Sequence, residues 1–527
     1  MNPCPRVLAR REFLRATGAW VALLALPQLG QTEAVVLKPV SSPFGLGIAS
    51  GSPMADGFVL WTRLVGSEIP ASQAVRVAWE VFDLANPERI VVQGQAVAVP
   101  ELAHSVHVEV AGLTADRWYG YRFRVGEAVS ATGRTRTLPV ATALPSRLRL
   151  AFASCQSWEH GLYAAYHHMQ GENLDLVLFL GDYIYEWASS SNPGHVRHHH
   201  LPAIQNLADF RIRYALYKSD PMLQAMHAHC PWLVIWDDHE VENDYAGIRS
   251  VYDTKDFAQR RAAAYQAYYE HMPLRASTLL EGLEGMARGA EMRIYDRVEF
   301  GRLATIHMLD CRQYRDAPLC PPKQTTPGIF AVCTEPDERR SMLGSTQEKW
   351  LDEGFRLSAQ QKTLWNIVAQ QGRFTPGNYP HGKGVNLSID TWDGFPDARQ
   401  RLLQSLVRHK PRNPLILGGD IHHNLVARVH QDPYDVQSPV VAGEFVGTSI
   451  TSRGWQSRED AQRRAAENPH CLYTNPEKRG YGVVEVTPVQ ARVALRGLDD
   501  AQNAHSGIAT LASFVVEDGK PLQPVRE

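Results

Sequence analysis

The sequence predicts an α/β protein preceded by an all-β region, and three patterns carry that prediction. Short apolar runs end abruptly in acidic or imidazole residues. Residues 174–180 run into Gly181-Asp182-Tyr183-Ile184-Tyr185-Glu186, residues 232–236 into Asp237-Asp238-His239-Glu240, and residues 414–417 into Gly418-Gly419-Asp420-Ile421-His422-His423. A short uninterrupted apolar run suits a strand covered on both faces. Ligands in open α/β sheets gather beyond the carboxyl ends of such strands. Ahead of these runs, apolar and polar residues alternate with period two, and behind them strand-like and helix-like segments take turns.

The alternating region spans residues 40–139. Gly57-Phe58-Val59-Leu60-Trp61-Thr62-Arg63, Val75-Arg76-Val77-Ala78-Trp79-Glu80-Val81, Ser105-Val106-His107-Val108-Glu109-Val110 and Trp118-Tyr119-Gly120-Tyr121-Arg122-Phe123-Arg124-Val125 are strands separated by Gly, Pro and Asp turns. Such spacing predicts a small β-sandwich. Residues 141–147 read as a linker. From 147 to 527 the pattern changes: a strand at 147–153, helical character at 161–170, and an amphipathic helix at 257–271. Further strands are expected at 293–300, 303–309, 363–369, 414–417, 444–446, 482–486 and 492–495, enough for two sheets. Residues 196–204, with His198-His199-His200, are expected to form a solvated loop.

The chain has 527 residues, with 54 Lys and Arg against 56 Asp and Glu, so no large field steers it onto nucleic acid or anionic lipid. No stable nucleic acid complex is expected. The N-terminus is patterned differently. Ala9-Arg10-Arg11-Glu12-Phe13-Leu14-Arg15 precedes an apolar stretch, residues 16–26, too short to span a bilayer and suited to a secretory h-region. The paired Arg followed by Phe-Leu is similar to the twin-arginine export signal. Residues 1–33 are therefore read as a signal segment addressed to the twin-arginine machinery, with a periplasmic or secreted mature chain and no transmembrane anchor. Of the seven Cys, Cys4 falls in that segment, and Cys320 and Cys333 bracket a Pro-rich loop they could staple.

An Asp after a strand is often only a turn or a helix cap. Three such strand ends, two with His nearby, point instead to a shared metal site. Asp182 and Tyr185 offer a carboxylate and a phenolate, hard donors that favour a hard ion such as iron(III). Cys155 ends another strand and is either a thiolate ligand or a buried structural thiol.

The order Cys155, Gly181-Asp182-x-x-Tyr185, Asp238-His239-Glu240 and Gly419-Asp420-x-His422 resembles the PhoD-type alkaline phosphatases. More distantly, it resembles the calcineurin-like metallophosphoesterases. Phe44-Gly45-Leu46-Gly47-Ile48-Ala49-Ser50-Gly51-Ser52-Pro53, Leu60-Trp61-Thr62-Arg63 and Leu309-Asp310-Cys311-Arg312-Gln313-Tyr314-Arg315-Asp316 extend the likeness over most of the chain. Against the wider superfamily pattern, Cys155 stands in place of an Asp, Asp238 of an Asn and Asp420 of a His, and Gln370 or Gln371 falls where a His is usual. Nitrogen donors at the second metal become oxygen donors, which suits calcium or magnesium.

The resemblance implies a four-layer α/β metallophosphoesterase sandwich behind an Ig- or fibronectin-like β-sandwich. It implies that Cys155, Asp182, Tyr185 and His422 bind iron(III), that Asp182 bridges, and that Asp238 and Asp420 hold calcium, with Asn243 a weaker candidate. His239 is the expected acid or hydrogen-bond donor, and Arg312 and Arg373 the expected contacts of phosphate oxygens. The implied activity is hydrolysis of phosphomonoesters and of some diesters by metal-activated water. Two alternatives stand beside it: a phosphodiesterase acting mainly on nucleic acid or phospholipid head groups, and a non-catalytic binding protein with structural metals.

Overall fold

The apolar runs pair into two large mixed sheets whose parallel strands end at a common edge. The computed structural model describes residues 34–37, 39, 41–317, 340–377, 388 and 390–524. The first sheet is ten-stranded, in the order Gln523–Pro524, Ile508–Glu517, Gln490–Leu498, Gly480–Val486, Leu148–Ala153, Leu176–Phe179, Trp232–Val234, Ile48–Met54, Gly57–Arg63 and Ser105–Val110. The second is seven-stranded, in the order Asp296–Phe300, Ala304–Met308, Trp365–Ala369, Pro414–Gly418, Val440–Val446, Asn424–His430 and Cys471–Asn475. Each sheet has a parallel middle. Leu176–Phe179 pairs with Leu148–Ala153 and Trp232–Val234, and Pro414–Gly418 pairs with Trp365–Ala369 and Val440–Val446.

Burial explains why these strands read as unbroken apolar runs. Leu415 and Leu417 face a core shared with Phe152, Leu178 and Ile306. Ile416 points the other way, into a core with Leu351 and Phe355 of helix Gly344–Gln361 and Leu402, Leu403 and Leu406 of helix Pro396–His409. With both faces covered, alternation disappears from the sequence. Helices Leu207–Lys218, Pro221–His229 and Phe257–His271 contribute Phe210, Met226 and Tyr268 to the core around the ten-stranded sheet.

The N-terminal strands divide between a sheet of their own and one end of the ten-stranded sheet. Asn86–Ala98, Val75–Asp83, Trp118–Val125, Ala128–Val129 and Gly133–Arg136 make a separate antiparallel sheet. Its Val77, Tyr121 and Phe123 pack on Phe58, Leu60 and Val108. Those opposing residues lie on strands that belong to the ten-stranded sheet, joined through a parallel pairing of Gly51 with Trp232. The join covers an edge that would otherwise expose unpaired backbone groups. The twin-arginine segment and the Cys320–Cys333 staple lie outside the described residues. Among the described residues, Cys155, Cys230, Cys311 and Cys471 are free thiols, and no helix is long and apolar enough to cross a membrane.

Candidate metal centre

Four strand ends build the centre. Leu148–Ala153 leads to Cys155, Leu176–Phe179 to Asp182 and Tyr185, Trp232–Val234 to Asp237 and Asp238, and Pro414–Gly418 of the other sheet to Asp420 and His422. Two glycines let them meet. A Cβ on Gly181, whose φ is +107°, would stand 2.4 Å from Asp237 Cβ, and one on Gly419 would stand 2.2 Å from Ser154 Oγ. The donor-bearing residues themselves adopt left-handed backbone: Cys155 (φ +60°), Asp182 (+57°), Asp244 (+59°), Asp420 (+65°) and His422 (+53°). Left-handed backbone costs a non-glycine residue roughly 1 kcal/mol or more, and such strain collects at functional sites.

Around Asp182 the hydrogen-bond partners run out. Tyr185 Oη donates to Asp182 Oδ2 at 2.9 Å, accepts from Ser452 Oγ at 2.7 Å and lies 3.3 Å from His422 Nε2. His422 Nδ1 donates to the Arg453 carbonyl at 2.8 Å, which leaves Nε2 as the free acceptor. Asp182 Oδ1 is buried with no hydrogen-bond partner. Cys155, Asp182 and His422 each place a donor atom within 4.8 Å of the others. Burial, then the charges of Asp182 and Asp420, push the Cys155 thiol well up. Burial, then Asp182 and Cys155, do the same to the Tyr185 phenol. Burial holds His422 neutral, down to about 3.

On the other side of Asp182 the donors are oxygens. Asp182, Asp238 and His239 form one close group, and Asp238, Asp244 and Asp390 another. Asp238 accepts from the backbone of His239 at 3.0 Å and of Asp244 at 2.7 Å. Arg312 spends its fork on carboxylates: Nε to Asp237, Nη1 and Nη2 to Asp390 at 2.6 and 2.9 Å, with Nη2 3.6 Å from Asp238. Arg315 Nη2 adds a 2.8 Å bond to Asp390. Burial opposes the charge on Asp238, but Arg312 and His239 hold it well below the carboxylate range. Burial, then Asp237 and Asp390, push Asp420 well up, and burial carries Asp237 to about 7 despite Arg312.

These residues fit bound cations. The buried Asp182, Asp237 and Asp238 and the partly buried Asp244, Asp390 and Asp420 crowd one edge against Arg312, Arg315 and His239, and Asp182 Oδ1 and Asp237 Oδ2 have no protein partner. A positive ion would reverse the penalty on every one of these carboxylates. A thiol, a phenol, an imidazole and a carboxylate suit a transition metal, whereas the all-oxygen side suits a hard divalent ion.

His239 sits over this centre. Its Nδ1 is 2.7 Å from Glu186 Oε2, and its ring packs 4.3 Å from Tyr185 and 4.5 Å from Trp187. Burial disfavours the imidazolium, but Glu186, Asp182 and Asp238 together raise its pKa well above the histidine range.

The structure thus brings together Cys155, Asp182, Tyr185, Asp238, His239, Arg312, Asp420 and His422. Arg373 is placed elsewhere: it bonds the Pro376 carbonyl, lies 3.4 Å from His470 Nε2, and lines a neighbouring cavity with Asp393, His423 and Trp455. Asn243 Nδ2 turns to Tyr252 at 2.9 Å. Gln370 and Gln371 bond Trp392 and the Trp236 carbonyl, as structural links. Sequence reasoning missed Glu186, Glu240, Asp244, Asp390 and Arg315. Glu240 accepts the backbone N–H groups of Asp182, Tyr183 and Asp237, at 3.1, 2.6 and 2.9 Å, and so fastens two of the loops together. Glu186 and Glu240 follow strand ends already singled out, so their position was a signal; Asp390 follows none.

The family model of the PhoD-like phosphatases matches residues 150–495, and that of the PhoD-like phosphatase N-terminal domain matches residues 30–139. Alkaline phosphatase D of Bacillus subtilis (strain 168) is 41% identical over 525 residues, spanning 96% of this chain and 87% of that protein. A solved structure of PhoD has a TM-score of 0.84 and 40% identity, covering 93% of each chain.

Proposed function

The chain belongs to the PhoD-like phosphatase family, and on that premise we propose that it is an exported, metal-dependent phosphoric ester hydrolase acting on phosphomonoesters and on some diesters. The observation that carries this reading is Asp182, buried between a thiol–phenol–imidazole group and an all-oxygen group with one oxygen unpartnered. We assign Cys155, Asp182, Tyr185 and His422 to iron(III), and Asp238 and Asp420 to calcium, with Asp244 and Asp390 supplying further oxygens. Bound together, such ions supply a water ionised near neutral pH and polarise the phosphoryl oxygens.

The chain's own residues do the rest. Asp182 ties the two groups of donors to one point. Glu186 holds His239 through Nδ1, which leaves Nε2 to carry a proton toward the leaving-group oxygen. Asp182 and Asp238 keep that imidazole charged. Arg312, the buried guanidinium beside Asp238, is our candidate contact for phosphoryl oxygens. Arg373 is the other candidate, set apart in the neighbouring cavity lined by Asp393, His423 and Trp455.

The finer architecture is read as a four-layer sandwich, supported by the central core between the sheets and the outer core under helices Gly344–Gln361 and Pro396–His409. The division into a signal segment (1–33), a β-sandwich domain of Ig or fibronectin type (40–139) and a catalytic domain (147–527) is supported by the separate core of the N-terminal strands. Export through the twin-arginine pathway rests on Arg10-Arg11-Glu12-Phe13-Leu14 and is tested by replacing both arginines with lysine and locating the protein.

Calcium chelation is expected to abolish activity reversibly, and Asp182→Asn to lose metal and activity together, read by metal analysis and by rates on one monoester and one diester. Full activity in metal-free protein refutes the mechanism. A rate confined to the diester selects the phosphodiesterase alternative.

A further inference from the structure

A second cluster of ligating side chains lies outside the strand-end centre. The chain after Glu186 turns back over Glu159, and Glu159, His195 and His198 each place a donor atom within 4.8 Å of the others. His195 Nδ1 stands 3.5 Å, and His198 Nδ1 3.6 Å, from the Glu159 carboxylate oxygens. A charge-assisted N–H···O bond would close to about 2.8 Å. Yet the His195 side chain is 7% exposed and its Nδ1 makes no hydrogen bond. Two donors bonded to one tetrahedral ion at about 2.0–2.1 Å stand roughly 3.3–3.4 Å apart, close to the spacing found here.

The loop is built to hold this spacing. Arg197, between the two histidines, lies 3.6 Å over the Trp158 ring and 4.5 Å over Tyr163, and bonds Asp220 at 2.8 Å and the Trp158 carbonyl at 2.6 Å. Glu159 accepts from Ser189 Oγ at 2.6 Å and the Ser190 N–H at 3.0 Å. Burial opposes its charge, but those bonds and His199 hold it below the usual carboxylate range. His199 takes a supporting place: its Nδ1 accepts from the Leu201 N–H at 3.0 Å, so its proton sits on Nε2, 3.8 Å from Glu159.

We propose that Glu159, His195 and His198 form a second metal site, distinct from the strand-end centre, that takes zinc(II) or a divalent ion of similar softness. Two imidazole nitrogens and one carboxylate are a recognised zinc donor set, unlike the all-oxygen group around Asp238. Arg453 links this site to the centre, its N–H donating to His160 Nδ1 at 3.3 Å and its carbonyl accepting from His422. His160 in turn packs edge-on to His195 at 4.8 Å. An ion here fixes the segment that follows Tyr185 and Glu186.

The holoenzyme is titrated with zinc(II), with cobalt(II) as a visible-absorption probe. We expect one equivalent bound beyond the metals already present. His198→Ala and Glu159→Gln should lose that equivalent while keeping the original metals and the wild-type circular dichroism. Asp182→Asn should keep it while losing metal from the centre. His198 is partly exposed, so its variant is the milder of the two. No extra equivalent in the wild type, or undiminished uptake in both folded variants, overturns the proposal.

Discussion

Glu186 shows how one side chain can matter without touching a metal. Its carboxylate bonds His239 Nδ1 through one oxygen and the Asn243 N–H through the other. Glu186→Gln keeps the shape but removes the charge that supports the imidazolium. We expect kcat to fall about 100-fold, a typical general-acid contribution, with KM and metal content little changed. An unchanged kcat would remove His239 from the proton-transfer role. Lys218 offers a stability test away from the metals. It is buried over Trp61 (4.2 Å) and Tyr183 (5.2 Å), and His227 and His271, neutral through burial, also feel its charge. Burial pushes its pKa down to about 7. In the unfolded chain lysine titrates near its ordinary value, about 10.4, so the unfolded state binds more protons between these limits and stability rises with pH across that window. Below about pH 7 the full cost is present in the folded state. Lys218→Met is expected to raise stability at pH 7 by roughly 2–4 kcal/mol and to flatten the rise toward pH 10 in urea titrations, the lost cation–π contact offsetting part of the gain.

Elements were legible in the sequence where the pattern had a single cause. Phe257–His271 has the predicted bounds, and Gly57–Arg63, Ser105–Val110 and Trp118–Val125 fall on the predicted alternations. Asn86–Ala98 carries no strand signature in the sequence, because its exposed first half holds Pro87 and charged residues and has no buried face. Likewise the candidate donors legible in sequence are those at strand ends, while Asp390, delivered by a loop, becomes visible only when Arg312 and Arg315 clasp it. The strand-end turns depend on the chain's freedom at Gly181. Gly181→Ala would place a methyl 2.4 Å from Asp237 Cβ and 2.5 Å from its backbone nitrogen, at a φ of +107°. Thermal melting should show a loss of about 3 kcal/mol or more, with reduced metal content. Gly171→Ala, which meets nothing within 4 Å, should melt like the wild type. Equal melting of the two would mean that the turn relaxes and that Gly181 does not set the approach of Asp182 to Asp238.

At the scale of the molecule, the N-terminal strands and the catalytic strands share one sheet, a feature that alternation alone could not reveal because it specifies faces and not neighbours. Gly51 pairs in parallel with Trp232, and a Cβ at Gly51 would stand 2.7 Å from the Trp232 carbonyl. Trp61 Nε1 donates to the Glu270 carbonyl at 3.0 Å, His107 stacks on Tyr269 at 4.4 Å, and Arg275 bonds Glu109 at 3.0 Å. Helix Phe257–His271, whose Tyr265 and Tyr268 pack on Trp236 at 4.3 and 5.1 Å, is therefore also the floor of the N-terminal strands. A pair of independent domains would unfold in two steps, as multidomain chains commonly do. A shared sheet and a shared helix couple the two cores, so calorimetry of the metal-loaded protein should give a single transition over both. Trp61→Phe, which removes the bond to Glu270 while leaving the ring's burial largely intact, should lower that one transition by an amount matching about 1 kcal/mol. It should not split off an early N-terminal step. Two resolved transitions in the wild type, with only the first moved by Trp61→Phe, would show that the join at Gly51 is a docking contact and that the strand-end centre folds without it.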